Sequence, residues 1–336
     1  MKTRGKYATN SARWIAAVLA AVTMIGGCAS KVENGNASLP ETRTVTHDYG
    51  MSEVPVDPQR IVATDETAAM ALLAVGVVPD VVFTGFGSPI GDALLTRAGA
   101  EVIDVPPVGS PPTEDVLTVG PDLVVGSNYG DDTLYRAISG TVPTVPMPYL
   151  APWQESLAFV ADMFDRHEEA ESLEATLNEK TEAVRKMVGE RSMSLSVLMY
   201  ASDILAIATA SAPSSVLAKS VGLDAPELQK VDSAEAASGP WTALSPELMA
   251  SQDADVVAVL DEGVYSANTV RGTSGFDEVL GDHAADVNGD MWTAAHPFAT
   301  YWMLKDLEAI VADNTDRIGT EETAQQRYDS FVSEVG

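Results

Sequence analysis

From Trp153 to Val188 the chain contains neither glycine nor proline, and its apolar residues fall at helical spacing. Leu157, Val160, Ala161 and Phe164 form one stripe; Leu173, Leu177, Val184, Met187 and Val188 form another. Asp165-Arg-His-Glu168 between them has the form of a capping box, so the spacing predicts two helices, the second beginning near Arg166. Running to about Gly189, that second helix would be roughly 36 Å long at ~1.5 Å per residue, the span of a small lobe. It divides the chain into two parts that share one rhythm.

That rhythm is strand and helix in alternation. Before the helical stretch, Ile61–Thr64, Val81–Thr84, Asp122–Gly126 and Thr144–Met147 read as short buried strands, and Thr67–Ala74, Ile90–Arg97 and Thr133–Ile138 as the helices between them. After it, Leu195–Tyr200, Leu205–Ala208 and Val256–Leu260 read as strands, and Ser214–Val221 and Pro246–Ser251 as helices. Two further helical stretches, Phe298–Ala312 and Glu321–Val335, close the chain. The expectation is an α/β protein of two lobes, parallel-type sheets flanked by helices, bridged by a single long helix. The boundaries expected are an N-terminal lobe over 47–152, linker helices over 153–190 and a C-terminal lobe over 191–336. With 336 residues, 46% of them hydrophobic, the chain can fill two such cores.

One echo links the lobes. Pro112-Thr-Glu114 and Ser245-Pro-Glu247 each open a short helical turn, and an Asp-headed aliphatic strand begins eight residues after each glutamate, at Asp122 and Asp255. A unit repeated once per lobe places Glu114 and Glu247 at equivalent points, although Glu is abundant here and coincidence is the alternative.

The N-terminus has the grammar of export. Lys2, Arg4, Lys6 and Arg13 precede an apolar run, Trp14–Ile25, too short to cross ~30 Å of hydrocarbon as a helix but suited to a signal peptide. The run closes on Ile25-Gly-Gly-Cys28, which resembles a bacterial lipobox. The resemblance implies a signal peptide over 1–27 and a diacylated Cys28 as first residue of the mature chain. An ordinary signal with a stray cysteine is the plain alternative. Residues 28–46, with their Asn, Gly, Ser and Pro, read as a flexible tether, giving an extracytoplasmic protein anchored to the cell membrane. One cysteine permits no intramolecular disulfide.

Charge excludes other classes. Against 20 Lys+Arg stand 49 Asp+Glu, a net −29, and setting aside residues 1–27 leaves the body more acidic still. Such a surface repels phosphate backbones, so no nucleic-acid partner is expected; the chain is expected to be a monomer. No Gly-x-Ser-x-Gly elbow, phosphate loop or dinucleotide fingerprint occurs, so no catalytic residue is assigned and the chain is read as a non-enzyme. His47, His167, His283 and His296 are scattered, and no protein metal site is expected.

Arg60-Ile-Val-Ala-Thr-Asp65, Ala71-Leu-Leu-Ala-Val-Gly76-Val, Glu114…Pro121-Asp-Leu-Val-Val125, the long helix and Trp241-Thr-Ala-Leu-Ser-Pro-Glu247 follow one another in a telling order. Together they resemble the substrate-binding lipoproteins that feed ferric siderophores, haem or vitamin B12 to ABC importers. The resemblance runs from about Arg43 to the end. It implies two lobes on a rigid backbone helix, one ligand in the cleft, modest closure, and a permease partner. It also implies one glutamate per lobe that salt-bridges permease arginines, at Glu114 and Glu247; a solvated helix-surface role is the alternative for each.

Ligands of open α/β sheets lie at the carboxyl ends of strands. The residues found there, Thr64, Asp65, Phe86, Asn128, Tyr129, Tyr200, Tyr265, Arg271 and Trp292, with Trp153 at the start of the linker, are the cleft candidates. Of these, Asp65, Phe86, Tyr129, Trp153, Tyr265, Arg271 and Trp292 are assigned to ligand binding. No cofactor is expected; the ligand is an iron chelate. Strongly anionic catecholate complexes need clustered Arg or Lys, and Arg271 is the one cation placed near a strand end. A neutral or cationic ferric hydroxamate is therefore favoured, with a haem or cobalamin receptor, or a surface-anchored hydrolase, as the alternatives.

Overall fold

The computed structural model describes residues 41–85, 87–106, 110–128, 132–148, 151–189, 191–231 and 239–335. In the first half, β1 (Thr42–His47) and β2 (Gly50–Pro55) pair as an antiparallel hairpin. There follow β3 (Ile61–Ala63), α1 (Glu66–Ala74), β4 (Val81–Thr84), α2 (Pro89–Ala98), β5 (Glu101–Asp104), α3 (Thr113–Thr118), β6 (Leu123–Asn128), α4 (Thr133–Ile138) and β7 (Thr144–Pro148). Strands β3 to β7 form a wholly parallel sheet in the order β5-β4-β3-β6-β7. Then come α5 (Trp153–Phe164) and α6 (His167–Gly189). The break between them is made by Asp165, whose φ of 57° leaves the helical region, a step Asp tolerates better than most residues.

The second half runs β8 (Leu195–Ala201), β9 (Ile204–Ala208), α7 (Pro213–Ser220), β10 (Trp241–Ala243), a 3₁₀ segment Pro246–Gln252, β11 (Val256–Asp261), α8 (Ala267–Arg271), α9 (Phe276–Val279), β12 (Ala284–Asn288), α10 (Gly289–Thr293), α11 (Pro297–Val311) and α12 (Ala324–Val335). The sheet order is β10-β9-β8-β11-β12. Here β8, β11 and β12 are parallel, whereas β9 and β10 are antiparallel additions. The second sheet is thus mixed where the first is not, because Ser202 and Asp203, both at positive φ, close a two-residue hairpin between β8 and β9.

Alternation along the strands explains the layers. Ile61, Ala63, Leu123 and Val125 face one core, while Val62 and Val124 face another. Likewise Val256, Ala258 and Leu260 turn inward, and Val257 and Val259 outward. The inward faces of both sheets meet one continuous apolar core, in which α5, α6 and α11 lie. Bridging is shared: α11 packs on α6 and α1, and α12 on α6 and α2. Within this bridge Asp306, fully buried, accepts from the Trp292 indole at 2.8 Å and the Gly319 N–H at 2.7 Å, and pairs with Arg327 at 2.7 Å.

The expected tether to Thr46 ends earlier. Thr42–His47 alternate as a strand and bury Val45, so ordered structure begins ahead of His47. The signal peptide and Cys28 lie outside the described residues. Within them, no helix is long and apolar enough to cross a membrane.

Candidate functional site

The repeat that links the lobes has a physical basis. Asp122, at the head of β6, accepts the backbone N–H groups of Gln59 and Arg60 at 2.7 and 2.9 Å, ahead of the neighbouring β3. Asp255, at the head of β11, accepts the N–H and hydroxyl of Ser194 at 2.7 Å, ahead of the neighbouring β8. Each aspartate replaces the ladder partner that the first residues of a central strand lack. Glu114 lies in the first turn of α3 and Glu247 in that of the 3₁₀ segment, so the two occupy matching positions in the lobes. Both are exposed. Neither takes part in a salt bridge among the described residues; Glu247 has only Ser245, whose hydroxyl is 3.4 Å away.

The carboxyl ends of the two sheets approach one another. Glu66 opens α1 just after β3, and Asp92 lies in the first turn of α2 after β4. Glu262 follows β11, and Asp290 follows β12 in α10. Charge on Asp290 acts on Glu66, and charge on Asp92 acts on Asp290, so these ends share one gap. Burial pushes the Glu66 carboxyl up to about 8, against the ionising effect of its bonds from the Ser88 backbone N–H and hydroxyl. Gly91 makes room for it, since a side chain there would collide with the Glu66 carboxylate. Asp290 is raised to about 6, first by burial and then by Glu262, Glu321 and Asp92. Among the described residues, no three of His, Cys, Asp and Glu converge as a metal site.

The first-lobe rim is aromatic. The turn between β1 and β2 carries Tyr49 onto the end of β6, where its hydroxyl bonds Asn128. The Tyr49 and Tyr135 rings lie 5.3 Å apart, and His47 meets Tyr135 edge-on at 5.2 Å. Asn128 in turn donates to Asp48 at 2.7 Å. Arg136, the cation beside this rim, is held by Asp132. The second-lobe rim carries Tyr200, Tyr265, and two exposed aliphatics, Ile204 and Val264.

Between the linker helices and the second lobe a cavity of about 330 Å³ is lined by Trp153 and Pro152 from α5 and its approach, Thr181 and Arg185 from α6, Leu217 from α7 and Met303 from α11. Among the described residues, Arg185 is the one cation in its wall. Its guanidinium is occupied by the Ser220 carbonyl at 2.6 and 2.8 Å and by Glu182 at 3.0 Å.

The sequence-derived ligand residues divide. Trp153 lines the cavity, and Tyr265 is half-buried with its hydroxyl 3.2 Å from that of Thr293. Phe86 and Tyr129 lie outside the described residues. Three others are engaged in contacts within the fold. Asp65 caps α1 through Ala68 N–H at 2.9 Å and binds the Ser127 N–H and hydroxyl at 2.6 and 2.7 Å; it is buried, and its oxygens tie β3 to β6. Arg271 chelates Asp286 of β12 at 2.6 Å and sits over the Phe276 ring, so it braces an edge strand. Trp292 is fully buried and spends its N–H on Asp306. A position after a strand cannot reveal which way its side chain turns. Nothing in the sequence pattern marks Glu66, Asp92, Glu262, Asp290, Tyr49 or Tyr135: acids are too common here to signal, and the Thr-Arg-Thr-Val-Thr-His strand reads as polar linker.

Comparisons with known proteins agree with this architecture. The model of the periplasmic binding protein family matches residues 61–285. The probable siderophore-binding lipoprotein YfiY of Bacillus subtilis (strain 168) is 25% identical over 314 residues, covering 86% of this chain and 94% of its own length. The iron(3+)-hydroxamate-binding protein YxeB of the same organism is 30% identical over 172 residues, half of each chain. Among solved structures, Staphylococcus aureus SirA complexed with staphyloferrin B matches with a TM-score of 0.68 at 18% identity, over 81% of this chain and 99% of that one.

Proposed function

Because the chain belongs to the periplasmic binding protein family, we propose that it captures a ferric siderophore, of hydroxamate type, between its lobes and delivers it to an ABC importer permease. Its likeness to a probable siderophore-binding lipoprotein over nearly that protein's whole length supports the siderophore. One observation supports the hydroxamate: acids stand at the carboxyl ends of both sheets, and Arg185, the cation in the wall of the cavity beside the linker helices, is already bonded to Ser220 and Glu182. An anionic catecholate complex would meet no free guanidinium there. Aromatic and aliphatic side chains suit the apolar skeleton of a neutral or cationic chelate.

Glu114 and Glu247, exposed and in matching positions, supply the two contacts for a basic permease surface. Cys28 carries the lipid anchor; a Cys28→Ala variant is expected to be released or to persist as precursor. The mature chain acts as a monomer with no cofactor of its own. Tryptophan-quenching titration of one preparation with a ferric hydroxamate, a ferric catecholate, haem and cobalamin tests the ligand class. Tightest binding of the hydroxamate is expected; tightest binding of any other reassigns the ligand.

A further inference from the structure

The turn between β1 and β2 is held from outside. His47 pairs with Gly50, which leaves Asp48 and Tyr49 as a two-residue turn. Such turns favour positive φ on the turn residues themselves, but here the positive φ, 132°, falls on Gly50. Contacts beyond the hairpin ladder supply what the turn lacks. On one side the side-chain amide of Asn128, the last residue of β6, accepts from the Tyr49 hydroxyl and donates to Asp48 at 2.7 Å. On the other stands His47. Its Nδ1 accepts the Tyr49 N–H at 3.2 Å, and its Nε2 lies 2.9 Å from the Ser52 hydroxyl. The same ring meets Tyr135 edge-on at 5.2 Å, and Tyr135 lies 5.3 Å from Tyr49 with the rings tilted by 44°. Both tyrosines are half-buried at the carboxyl end of β6, where ligands of open sheets lie.

These contacts fix the proton on the His47 ring. A nitrogen that accepts carries no hydrogen, so the neutral ring holds its proton on Nε2. Ser52 agrees independently: its hydroxyl donates to the Thr144 carbonyl at 2.7 Å, which leaves its oxygen to accept from the Nε2–H. A second proton on Nδ1 would set two donors face to face and release the Tyr49 N–H. Burial, the larger influence, lowers the His47 pKa from 6.5, and Asp48 works against it. The other charges on the surrounding elements are committed elsewhere. Glu53 of β2 accepts from Thr42 and Thr44, Arg43 of β1 donates to the Asp162 carbonyl, and Arg136 of α4 is held by Asp132. Strands β6 and β7 carry no charged residue.

We infer that His47 is a positioning residue: as the neutral Nε2–H tautomer it latches the β1–β2 turn so that Tyr49 and Tyr135 present one aromatic wall to the chelate, and its protonation releases that wall. The inference rests on the hydroxamate reading above and deepens it, by naming which side chains shape one wall of the cleft and what controls them. The paired rings suit the apolar skeleton of the chelate, and His47 itself touches no ligand. The linkage has one sign. With its pKa in the latched turn below 6.5, the ring takes up a proton more readily once the turn is released, so the latched fraction falls as pH drops below 6.5.

The test uses the full mature chain and a cyclic ferric trihydroxamate with no group of its own that titrates between pH 5 and 8, followed by tryptophan fluorescence. At pH 7.5, Tyr49→Ala should weaken binding about tenfold, and His47→Gln, which can reach Ser52 but offers Tyr49 no acceptor, about fivefold. In the Tyr49→Ala background His47→Gln should cost nothing further, because it acts through Tyr49. His47→Asn offers an acceptor in place of Nδ1 and cannot be protonated, so it should recover the affinity that His47→Gln loses and outbind wild type at pH 5. Asp290, raised to about 6, titrates in the same range, so the difference between wild type and His47→Asn is what reports the ring. Additive losses in the double variant, an unchanged affinity in Tyr49→Ala, or parallel pH profiles for wild type and His47→Asn overturn the inference and leave the hydroxamate reading standing. Failure of wild type to bind the probe overturns both. If Tyr49→Ala or His47→Gln fails to fold, the two pH profiles decide alone.

Discussion

The two sheets are alike on one side of their central strand and unlike on the other. Strand β3 with β6 and β7 matches β8 with β11 and β12: all are parallel, each has an aspartate at the head of its second strand, and each has an exposed glutamate in the first turn of the preceding helical segment. Beyond the central strand the lobes part. The first continues through crossover helices α1 and α2, whose opening turns bring Glu66 and Asp92 to the cleft. The second folds back through a hairpin and leaves Ile204 exposed at its tip. The shared half suits a partner that grips both lobes in the same way. The divergent half builds two unlike walls, one acidic and one partly aliphatic, around whatever lies between them.

The largest effect should fall on the shared half. Glu114→Ala/Glu247→Ala is expected to abolish uptake while leaving chelate affinity unchanged, each single change being intermediate. Unimpaired import by the double variant, measured with radiolabelled iron, would remove the docking assignment. Next comes a feature of the second lobe's packing, the buried pair of Asp306 with Arg327. Arg327→Ala leaves a buried carboxylate uncompensated and should cost about 3 kcal/mol by denaturant unfolding. A loss within experimental error would mean that this bridge does not hold α10 and α12 in place.

A pH series sharpens the contrast between the walls. Glu66, near 8 in the folded chain and 4.5 when unperturbed, keeps a proton that the unfolded chain releases between those values. Its contribution is therefore fully present below about 4.5 and is lost as pH rises toward 8, with a slope bounded by ~1.4 kcal/mol per pH unit for one proton. Melting temperatures should fall over that window, and Glu66→Gln should flatten the fall. An identical slope in the variant would place the titration elsewhere. The smallest effects test the symmetry itself: Asp122→Ala and Asp255→Ala should each cost about 1 kcal/mol, by comparable amounts, since each removes an acceptor ahead of a central strand. A large inequality would break the equivalence of the lobes.

Much of this fold is written in short-range pattern. Aliphatic runs such as Leu123-Val-Val and Val256-Val-Ala-Val-Leu260 mark buried strands because both faces of a covered sheet are apolar. The helical pair α5 and α6 is legible from two apolar stripes, and its break from the capping-box form of Asp165-Arg-His-Glu168, where Asp165 in fact ends α5 in a left-handed conformation. The antiparallel β9 and β10 are less so, because alternation says nothing about strand direction. The site is legible only in outline. Strand ends can be found, but side-chain direction there depends on partners distant in sequence: Asp65 is drawn to Ser127, Arg271 to Asp286 and Trp292 to Asp306. The cross-cleft carboxylates come together only when the sheets do.

Native mass spectrometry of the mature protein, mixed with equimolar ferric hydroxamate, ferric catecholate, haem and cobalamin, tests the central reading most directly. The account predicts a single 1:1 adduct at the mass of the ferric hydroxamate, displaced by none of the other three. A dominant adduct with the catecholate, or with haem or cobalamin, would contradict it.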